Sequence, residues 1–231
     1  MPTDYPIDAD VVKINRVVGT ENMWEGYEFG RPTSMYRSFE DFDRYVAGDW
    51  TVTETNASAT EALTDEINGV LLITNTAADD DRVTMQKVGE AYLPAANKTI
   101  FFEARFKISE ATQSDFLIGL VITDTTPLAN SNGIYFRKDD GDTNLDFETN
   151  ASSVASTDAG IHTVVADTYI KVGFKVTGTG LVEYYVNETK KGQFLVNIPI
   201  TEITPTIHLQ NGDGNARTAS IDYIFVAQTR E

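Results

Sequence analysis

The chain has 231 residues, 18 basic against 35 acidic side chains for a formal charge of −17, 41% hydrophobic residues and no cysteine. Without cysteine there are no disulfides, thiolate metal sites, iron–sulfur clusters or cysteine nucleophile, and the negative charge repels phosphate backbones and anionic lipid, which weighs against direct nucleic-acid or membrane-surface binding. A chain of this size can bury roughly 70% of its unfolded surface, enough for one core without metal or disulfide.

Residues 1–38 read as an extended N-terminal arm. They hold Gly19, Gly26 and Gly30, Pro2, Pro6 and Pro32, and the aromatics Trp24, Tyr27, Phe29 and Tyr36, without sustained strand or helix periodicity. Disordered tails are normally poor in aromatics, so these rings are expected to pack on something, either an edge of the chain's own domain or a partner. Trp24, Tyr27, Phe29 and Tyr36 are the candidate partner-binding residues, because such rings often dominate interface energy. Asp4, Asp8 and Asp10 interrupt the first residues, so no signal-peptide pattern is expected. The longest apolar runs, such as 116–122, are far shorter than the ~20 residues that span a bilayer.

From about residue 69 to the end the dominant signal is short runs of β-branched and aromatic residues with period two, closed by Gly, Asn, Asp or Pro. Strands are predicted over 50–54, 70–76, 83–88, 99–108, 116–123, 133–138, 144–148, 162–165, 169–177, 181–187, 192–196, 204–210 and 219–228. Residues 57–66 read as a short helix or a loop, and the Ser-, Ala- and Thr-rich 150–160 as a mobile hairpin tip. Ile170, Val172, Phe174 and Val176 share one face of their strand, against Lys171 and Lys175 on the other. Phe102, Ala104, Phe106 and Ile108 alternate against Phe101, Glu103, Arg105 and Lys107, and Ile221, Tyr223 and Phe225 against Asp222, Ile224 and Val226. Asn132-Gly133, Asp140-Gly141 and Asn211-Gly212 are placed where tight hairpin turns need positive φ. The spacing leaves no room for crossover helices. Thirteen short strands are too many for one open sheet, so residues 39–231 are predicted to form an all-β, two-sheet antiparallel jelly-roll sandwich.

The stretches FFEARFKIS, SDFLIGLVITD, NGIYFRKDDG, YIKVGFKVTGTGLVEYYVNE and ASIDYIFVAQ resemble the concanavalin A-like lectin/glucanase (laminin-G-like) jelly roll across residues 39–228. The resemblance implies that the FEARFK strand lies centrally in a sheet. It also implies that Tyr-Tyr-Val-Asn begins a hairpin continuing through Gly-Gln-Phe, and that the last strand returns beside the first.

Retaining glucanases of this fold place two glutamates and an aspartate on alternate residues of one strand, since acid and nucleophile must face the sugar together about 5 Å apart. Asp146 and Glu148 lack a third member, and Glu183 and Glu188 are five residues apart and point to opposite faces. The expectation is therefore no catalytic residues and no enzyme. Asp139, Asp140, Asp142, Asn144 and Asp146 crowd around Gly141 as oxygen ligands for calcium would. Their spacing matches no EF-hand, so a solvated acidic hairpin tip with no metal is the preferred reading, as it is for Asp79, Asp80 and Asp81. Asp213 reads as a turn residue, and His162 and His208, inside apolar runs, as structural. The Asn-x-Ser/Thr sites at Asn56, Asn97, Asn150 and Asn187 read as chance matches. No Gly-x-Ser-x-Gly, P-loop or dinucleotide fingerprint is present, and no cofactor is expected.

Arm plus jelly roll, an acidic surface and no export signal resemble the decoration (cement) proteins of tailed-phage heads. That resemblance implies a non-enzymatic virion protein made in the host cytoplasm. It would bind the major capsid protein on the shell's exterior, as a homotrimer, and stabilise the shell. The alternative is a carbohydrate-binding, lectin-like module, on a virion fibre or appendage.

Overall fold

Alternating apolar and polar side chains give each strand one face that must be removed from water, and two sheets built from such strands bury those faces against each other. A computed structural model describes residues 23–24 and 34–230. In chain order the strands are β1 (Met35–Glu40), β2 (Trp50–Glu54), β3 (Thr60–Leu63), β4 (Leu71–Thr74), β5 (Arg82–Lys87), β6 (Thr99–Ile108), β7 (Ser114–Val121), β8 (Gly133–Lys138), β9 (Asn144–Ala151), β10 (Val154–Thr163), β11 (Ile170–Thr177), β12 (Leu181–Val186), β13 (Thr189–Phe194), β14 (Thr204–Asn211) and β15 (Thr218–Thr229). One sheet has eight strands, in the order β13-β12-β11-β6-β15-β4-β3 with β1 also on β15, and the other has seven, in the order β10-β9-β8-β7-β14-β5-β2. No helix among the described residues is long and apolar enough to cross a membrane.

The protein is therefore the predicted all-β sandwich. The FEARFK strand, β6, sits between β11 and β15, and the last strand, β15, lies antiparallel beside β1. β12 turns into β13 through Asn187 and Glu188, both at positive φ (47° and 65°), as a two-residue hairpin of matching twist requires. Phe102, Phe174 and Tyr184 of the eight-stranded sheet interdigitate with Phe136 and Phe147 of the seven-stranded one. Ring centroids lie 4.8 Å apart for Phe102–Phe174 and 4.1 Å for Phe147–Tyr184. Each such ring, fully buried, contributes about 1.5–3 kcal/mol.

Several expectations are corrected. Residues 57–66 hold a strand, β3, paired with β4, because tertiary pairing overrides its weak, charged sequence. Residues 150–160 are no loose tip: β9 and β10 run on as a long hairpin that reverses only at Ser152-Ser153, where φ is 52° and 65°. Of the three Gly dipeptides only Gly141 has positive φ (94°), since Gly133 opens β8 and Asn211 closes β14. In β15 a bulge between Ile221 and Tyr223 reverses the alternation, so Ile221, Ile224 and Val226 enter the core while Tyr223 and Phe225 face outward. β1 runs across the 38/39 boundary drawn between arm and sandwich.

Near the start of β5 a buried carboxylate ties the sheets together. Asp81, 3% exposed, accepts hydrogen bonds from Thr55 Oγ1, Thr76 N and Thr76 Oγ1, each at 2.6 Å. Beside it the Asn75 amide donates to the Asp81 and Leu209 carbonyls and to Asn211 Oδ1. Burial alone would raise the Asp81 pKa, but the hydrogen bonds from Thr55 and Thr76 outweigh it and hold the carboxyl below its ordinary value. Its stabilisation is thus present above the unfolded carboxylate pKa and lost as pH falls through the lowered one. Asp81→Ala is expected to cost about 2 kcal/mol in denaturant unfolding at pH 7, because three donors lose their acceptor.

Candidate functional site

The outward face of the seven-stranded sheet carries polar side chains that the core does not need. In β9 the inward Leu145 and Phe147 leave Asn144, Asp146, Glu148 and Asn150 outward. In β8 the outward residues are Tyr135 and Arg137, in β7 Asp115 and Leu117, in β14 Thr206, His208 and Gln210, and in β5 Arg82, Thr84 and Gln86. Strand register places Thr84, His208, Leu117, Arg137 and Asp146 in one row across five strands, with Arg82, Gln210 and Asp115 in the next.

Half of this face is roofed. The segment 122–132 between β7 and β8 folds back over it, with Ile122 and Leu128 packed on Leu117, Val121 and Tyr135. It is pinned by Gln86 Nε2 to the Ile122 carbonyl (3.1 Å), Arg137 to the Leu128 carbonyl (3.1 Å) and Asn150 Nδ2 to the Asn130 carbonyl (2.8 Å). Beneath the roof Glu148, 8% exposed, accepts from the Tyr135 hydroxyl and from Thr157 Oγ1 (3.1 Å). Burial, then the Glu148 hydrogen bond, push the Tyr135 pKa up, so the phenol is the proton donor in this pair.

The other half is open. Arg82, Asp115, Arg137, Asp139, Asp146 and Gln210 are all partly exposed there. Burial raises the pKa of Asp146, with the charges of Asp139 and Asp142 adding to it against the hydrogen bond from Gly160 N (2.7 Å). Burial likewise raises Asp115, again with Asp139 and Asp140 adding to it. Arg137 pairs with Asp139. Under the row His208 is fully buried, its Nδ1 2.8 Å from Thr84 Oγ1 and its Nε2 without a partner. Burial depresses its pKa to about 3, and Arg82 and Arg137 add to the effect. The open half therefore offers fixed guanidinium donors, an amide, and carboxyls whose pKa burial raises, the kind of perturbed cluster that binding and catalytic sites use.

The acidic turn does not converge. Asp139 is taken by Arg137, Asp142 Oδ1 accepts from Asn144 N (2.7 Å), the Asp140 backbone N–H donates to Asp115 (2.8 Å), and Asp146 faces the strand row. Among the described residues no group of three or more His, Asp or Glu is arranged to hold a metal ion. Glu183 pairs with Lys190 and Glu188 with Lys171, so those two glutamates do not meet. Asp213 is held in its turn by Arg217 at 2.7 Å. Of the arm aromatics, Trp24 stacks on Phe101 (5.3 Å) and meets Phe225 edge-on (5.6 Å), on the outer face of the eight-stranded sheet. Tyr36 lies on β1 beside Tyr92 (5.4 Å). Tyr27 and Phe29 lie outside the described residues.

Sequence reading singled out Asp146 and Glu148 but passed over Arg82, Asp115, Arg137 and Gln210. These stand on four different strands with no shared spacing. Their only local signal is a polar residue at an alternate position beside apolar ones, as in Phe136-Arg137 and Leu209-Gln210.

No family model and no curated protein matches the sequence. Solved structures do match. The Bacillus licheniformis β-glucanase aligns at 15% identity over 84% of this chain and 98% of its own, with a TM-score of 0.61. The endo-β-1,4-glucuronan lyase from the fungus Trichoderma reesei aligns at 12% over 82% and 94%, with a TM-score of 0.58. The Emp47p carbohydrate recognition domain aligns at 14% over 85% and 97%, also at 0.58. The first two are enzymes, which corrects the expectation drawn from the missing carboxylate triad: lacking that one arrangement does not set a chain of this fold apart from enzymes. At these identities the likeness establishes architecture, and the architecture is the concanavalin A-like jelly roll.

Proposed function

We propose that the chain binds a carbohydrate across the open half of the outward face of its seven-stranded sheet. The observation that carries this reading is the convergence there of Arg82, Gln210, Asp115, Arg137 and Asp146 from five adjacent strands. A sugar presents hydroxyls that both donate and accept, and this row supplies guanidinium donors, carboxyl acceptors and an amide that does both. The glucanases, the glucuronan lyase and the carbohydrate recognition domains among the similar structures support it. The capsid reading, in which the arm docks a trimer on the major capsid protein, rests on the arm aromatics. Trp24 and Tyr36 pack against this chain's own sandwich. Carbohydrate binding is preferred on that ground.

Calorimetric titration with neutral β-glucan and glucuronan oligosaccharides tests the proposal. Arg137→Ala and Asp146→Asn are each expected to weaken binding about tenfold, the worth of one hydrogen bond to a charged group. The same mixtures, assayed for new reducing ends and for unsaturated products, report hydrolysis and elimination respectively. Binding of neither oligosaccharide, or binding untouched by both substitutions, would sink the proposal.

A further inference from the structure

Two clefts open at the sandwich edge on either side of one tyrosine. On β1 the residues Met35, Arg37 and Phe39 alternate with Tyr36, Ser38 and Glu40. Met35 joins the cluster on the outer face of its sheet, whereas Glu40 reaches across to Lys87 of β5 at 2.6 Å, so Tyr36, Ser38 and Glu40 point toward the other sheet. One cleft, of about 540 Å³, is lined by Tyr36, Leu93, Lys98, Glu202, Gln228 and Arg230 among others. The second, of about 390 Å³, is lined by Tyr36, Ser38, Asp49, Lys87, Tyr92 and Pro205 among others. Both volumes fall in the range of small-ligand sites, roughly 300–1,000 Å³.

Three observations define what these clefts fit. Tyr36 is 39% exposed and forms a wall of both, and the Arg230 guanidinium lies over its ring at 5.7 Å. Tyr92 lines the second cleft beside Ser38, with its hydroxyl closed off from the surface. Charges of both signs line each cleft: Lys98 and Arg230 against Glu202 in one, Lys87 against Asp49 in the other. A ligand of either net charge would meet its own sign. A neutral polyol meets donors and acceptors alternately, and its C–H face suits the negative face of an aromatic ring.

We infer that the Tyr36 clefts are a second carbohydrate subsite, taking a neutral glycan segment that straddles the Tyr36 ring, separate from the sheet face. The inference rests on the carbohydrate-binding reading but not on the location that reading assigns. Gln228, whose side-chain amide bonds the Leu93 backbone at both ends, keeps the floor of the first cleft fixed.

The test is an amide-resolved NMR titration of the full chain with gluco-, manno- and galacto-configured neutral hexasaccharides. Backbone amides of Gly89, Ala91, Leu93 and Thr229 should shift with at least one of them. Tyr36→Ala should weaken that response about tenfold, Tyr36→Phe should keep it, and Asp146→Asn should leave it unchanged, with melting curves confirming that each variant folds. Shifts confined to β8, β9 and β14 would overturn the subsite and leave the sheet-face proposal standing. Shifts confined to the Tyr36 clefts would uphold the subsite without the sheet face, whose own titration includes glucuronan, and shifts nowhere would overturn the subsite.

Discussion

Acidification from pH 7 to pH 4 is expected to remove about 3 kcal/mol of stability through one side chain, His208, which titrates near 6.5 when unfolded and near 3 when folded. The imidazole is fully buried on β14, bonded through Nδ1 to Thr84, with Arg82 and Arg137 disfavouring a positive charge. A depressed folded pKa means that the unfolded chain binds the extra proton between those two values. Stability from this group is therefore complete above about pH 6.5 and falls steadily toward pH 3. Glu61 works in the opposite direction: burial, and then the charge of Glu54, raise its pKa to about 7, so its contribution is lost as pH rises rather than as it falls. The informative quantity is consequently the difference between the native chain and His208→Asn, which keeps a partner for Thr84 but cannot be protonated. The variant should start less stable at pH 7 and lose markedly less than the native chain by pH 4 in denaturant titrations. Parallel pH profiles for the two proteins would show that His208 is not the group being protonated.

Such a site marks where the sequence was legible and where it was not. Local alternation located β2, β6 and β8 to the residue and assigned the core faces of β6 and β11 correctly, because each of those strands is decided by its own apolar pattern. The pattern fails where geometry comes from a partner. β3, Thr-Glu-Ala-Leu, has no apolar pattern of its own and is made into a strand by β4, and a single bulge in β15 exchanges Tyr223 with Ile224 in the core, which no count of alternate residues detects. The open half of the sheet face is illegible for the same reason. Arg82, Asp115, Arg137 and Gln210 become neighbours only through the order β5-β14-β7-β8, a set of pairings between segments as much as about 130 residues apart. His208, read as structural, owes its pH sensitivity first to burial within the sheet and then to Arg82 and Arg137 on other strands, none of which its own strand reveals.

The crossing from one sheet to the other depends on a single glycine, and Gly69→Ala is expected to cost about 3 kcal/mol, adding the left-handed backbone penalty to that of forcing an atom into packed backbone. β1 and β4 share one edge of β15, β4 pairing with its first residues and β1 with its last. After β1 the chain leaves this sheet through Asp41 and Phe42 to reach β2 in the other, passing the turn that leads into β4. Gly69 stands in that turn at φ +78°. A Cβ there would lie 2.5 Å from the Phe42 carbonyl oxygen and 2.6 Å from that of Asp41, both backbone atoms that cannot rotate away. Phe42 is itself at positive φ (47°) and buried, so the segment that would have to yield is already constrained. Gly178, between β11 and β12, separates the two costs: its φ is +63° but nothing lies within 4 Å of its absent Cβ. Gly178→Ala should therefore cost only about 1 kcal/mol, the conformational part alone. For a chain of this length the two variants should melt several degrees apart, at about 2–4 °C per kcal/mol. Equal melting temperatures for the two would mean that the crossover can relax, and that Gly69 is required for its backbone angle and not for the close approach of the two chain segments.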